Sequence, residues 1–224
     1  MIRTVIAGAS GRMGRALIRL LPEIPELRLH AACVSAGSAQ LGQDAGRLAG
    51  GADNGVKLRA DLAAALAGAQ LLIDFSTAAN TVAHIDAARA ARVPLLLGTT
   101  GWQADAEAAM QRAAHDIPLL QAANTSIGVT LLAELVKRAA AALGVDYDIE
   151  IVETHHRMKQ DAPSGTALLL GQAAAAGRDG TLAALRAPVD RHGAARANGQ
   201  IGIASLRGGD VVGEHEVHFL GQGE

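Results

Sequence analysis

Apolar and polar positions divide this chain into short apolar runs, glycine-rich breaks and alanine-rich stretches. From Arg3 to Ala7 a short apolar-rich run ends at Gly8-Ala9-Ser10-Gly11, and Arg12 to Leu21 then has helical character as far as Pro22. This predicts strand, tight loop, helix. Further apolar runs lie at Leu29 to Val34, Leu71 to Phe75 and Pro94 to Leu97, with an alanine-rich helix candidate from Ala79 to Ala91 among them. Strands alternating with helices predict an α/β fold built on a doubly wound parallel sheet. The stretch from Ala36 to Gly55 is rich in Gly, Ala and Asp, and its weak periodicity predicts irregular chain or a short helix.

Beyond Asn124 the texture changes. A helix candidate runs from Val129 to Leu143, a strand from Asp148 to Glu153, and a helix from Ser164 to Ala176 after a polar loop. Gly177 to Gly199 reads as loop, and Ile201 to Leu206 and Glu214 to Leu220 read as strands separated by Arg207-Gly208-Gly209-Asp210. We therefore expect two domains, 1–123 and 124–224, the second smaller, α+β, and carrying a mixed or antiparallel sheet.

Half of the residues are hydrophobic, yet only Phe75, Trp102, Tyr147 and Phe219 are aromatic, so the core must be built from Ala, Leu, Val and Ile. Lys plus Arg total 20 against 22 for Asp plus Glu. That balance removes the broad electrostatic reason to expect nucleic acid or an anionic membrane as partner. No apolar run approaches the ~20 residues that span a bilayer. Cys33 is the single cysteine, which rules out an internal disulfide and a thiolate metal cluster. With no secretory leader before the first glycine loop, a cytoplasmic enzyme acting on a small molecule is expected.

Gly8, Gly11 and Gly14 are spaced G-x-x-G-x-x-G after the first strand and at the mouth of the first helix. Such a loop lets backbone approach a pyrophosphate while the helix N-terminus offers free N–H groups and a favourable dipole. Ala9-Ser10 separates the first two glycines, so the strict dinucleotide pattern is relaxed here, and an ordinary glycine-rich turn is the competing reading. Phe75-Ser76-Thr77 and Gly98-Thr99-Thr100-Gly101 also fall where strands should end, the side on which such sheets bind ligands.

The densest chemistry is Glu153-Thr154-His155-His156-Arg157-Met158-Lys159-Gln160-Asp161-Ala162-Pro163-Ser164-Gly165-Thr166-Ala167. Two imidazoles, a guanidinium and an ammonium within five residues repel one another unless acids or an anionic ligand offset them. The cluster thus suggests a negatively charged substrate, and Ser164-Gly165-Thr166 opens a helix suited to holding a carboxylate on backbone N–H groups. A solvated polar loop with a serine cap is the bland alternative.

These segments carry a resemblance. The Gly8 to Gly14 loop, Gly98-Thr99-Thr100-Gly101 and above all His155-His156-Arg157-x-Lys159-x-Asp161-Ala162-Pro163-Ser164-Gly165-Thr166 are similar to the 4-hydroxy-tetrahydrodipicolinate reductase family of bacterial lysine and diaminopimelate biosynthesis, as is Arg207-Gly208-Gly209-Asp210 followed by Gly213-Glu214-His215. The resemblance implies a Rossmann-like dinucleotide-binding domain, a substrate-binding and oligomerisation domain, and a homotetramer. It implies NADPH or NADH as cofactor and a small dicarboxylate cyclic imine as substrate. Carried over position by position, it gives His155 and Lys159 as catalytic, and His156, Gly165 and Thr166 as substrate-binding. Cofactor contacts would come from Gly8, Ala9, Ser10, Gly11, Arg12 and Met13, from Gly98, Thr99 and Thr100, and from Ala122, Ala123, Asn124 and Thr125.

Three departures stand out. Val34 and Ser35 occupy the place where relatives often read the adenosine ribose with a charged residue, which predicts use of both cofactors. Thr125 follows Asn124 where an aromatic is expected. Relatives continue past position 224 with a segment that returns to the first domain, so the family's C-terminal return segment is expected to be missing. Two rival classes account for less: another oxidoreductase of amino or oxo acids leaves the Lys159 to Thr166 pattern unused, and a nucleotide sensor has no need of the cation cluster. No metal is expected. His215-Glu216-Val217-His218 is one residue short of a zinc motif, and on a strand His215 and His218 face opposite sides. His84 and His115 read as surface residues without partners.

Overall fold

A computed structural model of the chain describes residues 1–122, 124–188, 193 and 195–223. The chain divides into two units, Met1–Ala123 and Asn124–Glu224.

In the first unit, apolar runs too short for helices become strands. They are β1 (Ile2–Ala7), β2 (Leu27–Cys33), β3 (Leu58–Arg59), β4 (Leu71–Asp74), β5 (Leu95–Leu97) and β6 (Leu119–Gln121). All pair in parallel, in the order β3-β2-β1-β4-β5-β6. Helices α1 (Arg12–Leu20), α2 (Ala45–Leu48), α3 (Leu62–Leu66), α4 (Thr81–Ala91) and α5 (Ala104–Ala114) connect them. Successive residues of β1 enter opposite cores: Val5 and Ala7 pack with Leu66, Ile85 and Leu97 on one face, and Ile6 packs with Ile18, Leu21 and Val34 on the other. Both faces are covered, as a doubly wound parallel sheet requires.

Sequence and structure differ in detail. The first helix ends at Leu20 and passes into a 3-10 turn over Leu21–Glu23, because Pro22 fits a first turn but cannot continue a helix. In the weakly periodic stretch the one-turn α2 forms where the Asp44 carboxylate accepts hydrogen bonds from the backbone of Gly46, Arg47, Asn54 and Gly55. Elements β3, α3, α5 and β6 extend the alternation beyond the strands and helices read from sequence.

The second unit begins with α6 (Ile127–Leu143), capped by Ser126, and continues with β7 (Asp148–His155), α7 (Gly165–Gly177), α8 (Leu182–Leu185), β8 (Ile201–Arg207) and β9 (Glu214–Leu220). The helix α8 lies inside the stretch read as loop, of which residues 189–192 and 194 are outside the described part. The sheet order is β8-β7-β9, with β7 parallel to β8 and antiparallel to β9, so the sheet is mixed. Alternation along β7 buries Ile149, Ile151, Glu153 and His155 on one face. The first two join Val136, Ala140, Leu170 and Ala174 of α6 and α7 in the core, leaving Glu153 and His155 at its end.

Candidate active site

Each unit carries a group of the residues singled out in the sequence. In the first, the loop after β1 is held by glycines that admit no substitute. Gly8 has φ of 74°, and a Cβ there would lie 2.4 Å from the Phe75 carbonyl oxygen; a Cβ on Gly14 would lie 2.3 Å from the Gly8 oxygen. No side chain caps α1 at Gly11, which leaves the amides of its first turn open to an anion.

Beside this loop is a cavity of about 390 Å³ at the carboxyl ends of β1, β2 and β4, lined among others by Gly8, Gly11, Val34, Ser35, Ser76 and His84. A second cavity of about 370 Å³ shares Phe75, Ser76 and Thr77 with it and brings Arg12 and Met13 to Gly98, Thr99 and Thr100. Glycine loop and threonine loop therefore border one groove. Ser10 lines the groove, whereas Ala9 has its side chain in the core and donates its N–H to the Cys33 carbonyl at 2.9 Å. The Ala122 amide donates to the Leu97 carbonyl at 3.0 Å, outside both cavities. Ala123 lies outside the described residues, and Asn124 and Thr125 belong to the second unit.

His84 corrects an expectation. Its Nδ1 lies 2.8 Å from Oδ2 of Asp74, which is fully buried and also accepts from the Ser76 amide. Burial pushes the Asp74 carboxyl up, but hydrogen bonds from His84 and Ser76 more than offset this and hold it below the ordinary range. His84 is thus a partnered, half-buried residue of the cavity wall. Asp74, His84 and Asn80 were absent from the sequence-derived site because nothing local marks a helix histidine as facing a strand end.

A rigid charged knot forms the second group. Glu153, fully buried, accepts from Arg207 Nη1 and Nη2 at 2.8 and 2.7 Å, from His155 Nδ1 at 2.5 Å and from the Ser164 amide at 3.1 Å. Burial alone would raise the carboxyl, yet hydrogen bonds from Arg207, Ser205, His155 and Ser164 bring it down to about 2. It is ionised throughout the neutral range and acts only as an acceptor, which makes Nδ1 of His155 the donor. The Ser164 hydroxyl caps α7 by accepting from the Ala167 amide and sits 2.9 Å from Nε2 of His215. His215 packs edge-on against His155, ring centroids 5.1 Å apart, and its pKa is lowered by burial and then by the His155 charge.

Lys159 pairs with both Asp161 oxygens at 2.8 and 2.9 Å. The chain's own acids thus meet much of the charge of the cation cluster, through Glu153 and Asp161, so crowded charge by itself argues less for an anionic substrate than the sequence suggested. The opening of α7 argues more: with Ser164 as cap, the amides of Gly165 and Thr166 have no partner among the described residues. Thr166 Oγ1 accepts from Asn124 Nδ2 at 2.9 Å, and His156 is half-buried with its amide bonded to the Val211 carbonyl at 2.7 Å. His215 and His218 alternate along β9, the former half-buried and the latter exposed. Arg207 and His215, brought in by strand pairing, were named in the sequence only as parts of a similar segment or a rejected metal motif.

Two family models match this chain, one described as dihydrodipicolinate reductase, N-terminus, over residues 2–125, the other as dihydrodipicolinate reductase, C-terminus, over residues 128–224. The chain belongs to the dihydrodipicolinate reductase family. Within it, a relative from Anaeromyxobacter dehalogenans is 48% identical over 231 residues, covering 100% of this chain and 83% of the relative. Another, from Methylocella silvestris, is 49% identical over 225 residues, covering 100% and 82%. Both bear the name 4-hydroxy-tetrahydrodipicolinate reductase. A solved dihydrodipicolinate reductase from Paenisporosarcina sp. TG-14, with dipicolinate bound, superposes with a TM-score of 0.68 at 23% identity, covering 100% of this chain and 85% of that one. A probable dehydrogenase from Thermotoga maritima reaches 0.65 at 12% identity, covering 99% and 73%. These two structures establish the fold: a Rossmann-like unit followed by a smaller α+β unit.

Proposed function

We propose that this dihydrodipicolinate reductase family member is a 4-hydroxy-tetrahydrodipicolinate reductase, an NAD(P)H-dependent oxidoreductase of lysine and diaminopimelate biosynthesis. Its substrate loses water to give a cyclic imine dicarboxylate, which is reduced to tetrahydrodipicolinate. The observation that carries the reading is that one unit holds a buried histidine, fixed through Nδ1, an ammonium four residues on, and, opening α7, two amides without a partner among the described residues.

Met1–Ala123 is the cofactor unit in this reading. The groove beside Gly8, Gly11, Arg12 and Met13 and beside Gly98, Thr99 and Thr100 suits an elongated dinucleotide, with a pyrophosphate on the open first turn of α1. Ala9 supports the loop from behind, and Ala122, Ala123, Asn124 and Thr125 complete the assigned contacts. When bound, the cofactor supplies the hydride.

Asn124–Glu224 is the substrate unit. The amides of Gly165 and Thr166 hold one carboxylate, and His156 and the Thr166 hydroxyl bind beside it. Nε2 of His155 exchanges the proton, because Nδ1 is committed to Glu153. Lys159, steadied by Asp161, donates a proton and stabilises the charge that develops as hydride adds to the conjugated imine. The reading extends to a homotetramer assembled through this unit and to a cytoplasmic setting. Among the described residues no helix is long and apolar enough to cross a membrane.

Oxidation of NADH and of NADPH, followed by absorbance with freshly generated 4-hydroxy-tetrahydrodipicolinate, tests the reading. His155→Ala and Lys159→Ala should each lower kcat by about 100-fold or more, as expected for positioned proton donors, while the cofactor Kd stays within about twofold. Near-normal turnover in both variants would remove the assignment.

A further inference from the structure

Glu153 sits two residues before His155 on the same face of β7, and its carboxylate is enclosed entirely by donors. Oε1 faces Arg207 Nη2 and the Ser164 amide; Oε2 faces Arg207 Nη1 and His155 Nδ1. Arginine and a backbone N–H can only donate; the neighbours able to switch between donor and acceptor are the His155 imidazole and the Ser205 hydroxyl, which also bonds this carboxylate. The state of His155 is therefore dictated by what Glu153 presents to it. No described residue bonds Nε2 of His155, and a Cβ added at Gly213 would lie 2.8 Å from it.

We propose that Glu153 is the positioning residue for proton transfer by His155: it holds the imidazole in the Nδ1–H tautomer, so that Nε2 is the atom that exchanges the proton. Arg207, from the neighbouring strand β8, has the complementary task of keeping this carboxylate charged and in place while buried. Glu153 is fully buried among its donors and acts through His155. The proposal rests on the assignment of His155 in the reading above.

The substitution Glu153→Gln separates charge from shape. Oε1 faces two obligate donors and Oε2 only one, Arg207 Nη1, beside His155, so the amide keeps its oxygen at the Oε1 position and turns its NH2 toward His155, giving up the Arg207 Nη1 bond. Facing a donor, neutral His155 has to offer a lone pair at Nδ1 and carry its proton on Nε2. The variant thus inverts the tautomer without changing side-chain volume, and Nε2 can no longer accept a proton.

Nitrogen-15 NMR of the imidazole, at a pH where it is neutral, reads the tautomer directly. We expect Nδ1–H in the wild-type protein, Nε2–H in Glu153→Gln, and Nδ1–H again in Glu153→Asp, which retains the charge. In turnover assays Glu153→Gln should lower kcat by about tenfold or more, yet by less than about twofold in a His155→Ala background, since a positioning residue has nothing left to position. An Nε2–H tautomer in the wild type overturns the proposal, and that measurement needs no folded variant. Equal loss of kcat in both backgrounds also overturns it, by reducing Glu153 to a structural residue. Unimpaired turnover in His155→Ala alone would instead sink the underlying assignment of His155.

Discussion

The side-chain amide of Asn124 donates to the hydroxyl of Thr166 at 2.9 Å, fixing the second residue of α7 from the segment that leads into α6. The same asparagine accepts from the Ser126 amide at 2.7 Å, so one side chain braces two helix starts. Asn124→Ala should raise KM for the imine by a factor of roughly 2–10, the net worth of one hydrogen bond being about 0.5–1.5 kcal/mol. Steady-state kinetics at saturating cofactor check this; an unchanged KM would separate Thr166 from substrate binding.

At the glycine loop, close backbone approach predicts the consequence of a single methyl group. A Cβ on Gly14 would press on the Gly8 oxygen at 2.3 Å and on Ala9 Cα at 2.6 Å, both backbone atoms. Gly14→Ala should therefore destabilise the protein by about 1–3 kcal/mol and weaken cofactor binding. Gly37→Ala, where nothing lies within 4 Å, serves as the control. Thermal melts and cofactor titration distinguish a displaced loop from an unaltered one.

Cofactor preference turns on the end of β2. Val34 is buried in the core cluster and Ser35 is exposed at the cavity, so a ribose-reading carboxylate belongs at 35 and not at 34, where it would be buried without a partner. Arg59 lies on the adjacent strand: its carbonyl accepts from the Val34 amide at 2.9 Å, and its charge acts on the buried Cys33 thiol, which burial raises to about 12. Arg12 lines the other cavity and is less suited to a ribose phosphate. The wild type should use NADPH at least as well as NADH, and Ser35→Glu should move kcat/KM toward NADH. A wild-type preference for NADH above about tenfold, near 1.4 kcal/mol, contradicts this.

Acid stability should follow Glu153. Its folded-state pKa of about 2 lies below the ordinary 4.5, so unfolding takes up a proton as pH falls through that interval. The contribution is fully present above about pH 4.5 and is lost as pH drops toward 2. His215, with a lowered pKa, adds a loss of the same sign that begins just below its ordinary 6.5. Urea midpoints measured across this range should fall less steeply in Glu153→Gln than in the wild type.

The fold was legible where side chains announce it. The run Arg3 to Ala7 followed by three spaced glycines gave β1, its loop and α1 to within a residue or two. Element α5 was missed because it buries only Ala106, Ala109 and Ala113, leaving no large apolar stripe to count, and β6 spans only three residues. In the site, His155 and Lys159 stood out through local crowding of charge. Their partners did not, since Arg207 reaches His155 through parallel register and His215 reaches Glu153 through antiparallel register. No local period encodes those pairings, and His84 was misjudged for the same reason.

The donors that converge on Glu153 come from β7, from the start of α7 and from β8, at separations of 2, 11 and 54 residues along the chain. Such a node cannot be half made: until all three elements have docked, a charge is buried without compensation. The geometry of the candidate site and cooperative folding of the second unit are therefore one event. The Ser164 amide proton, locked at that node, should exchange with solvent only through opening of the whole unit, as slowly as the amides of central β7. The candidate catalytic segment, which looks like a polar loop, is in this respect part of the folding core.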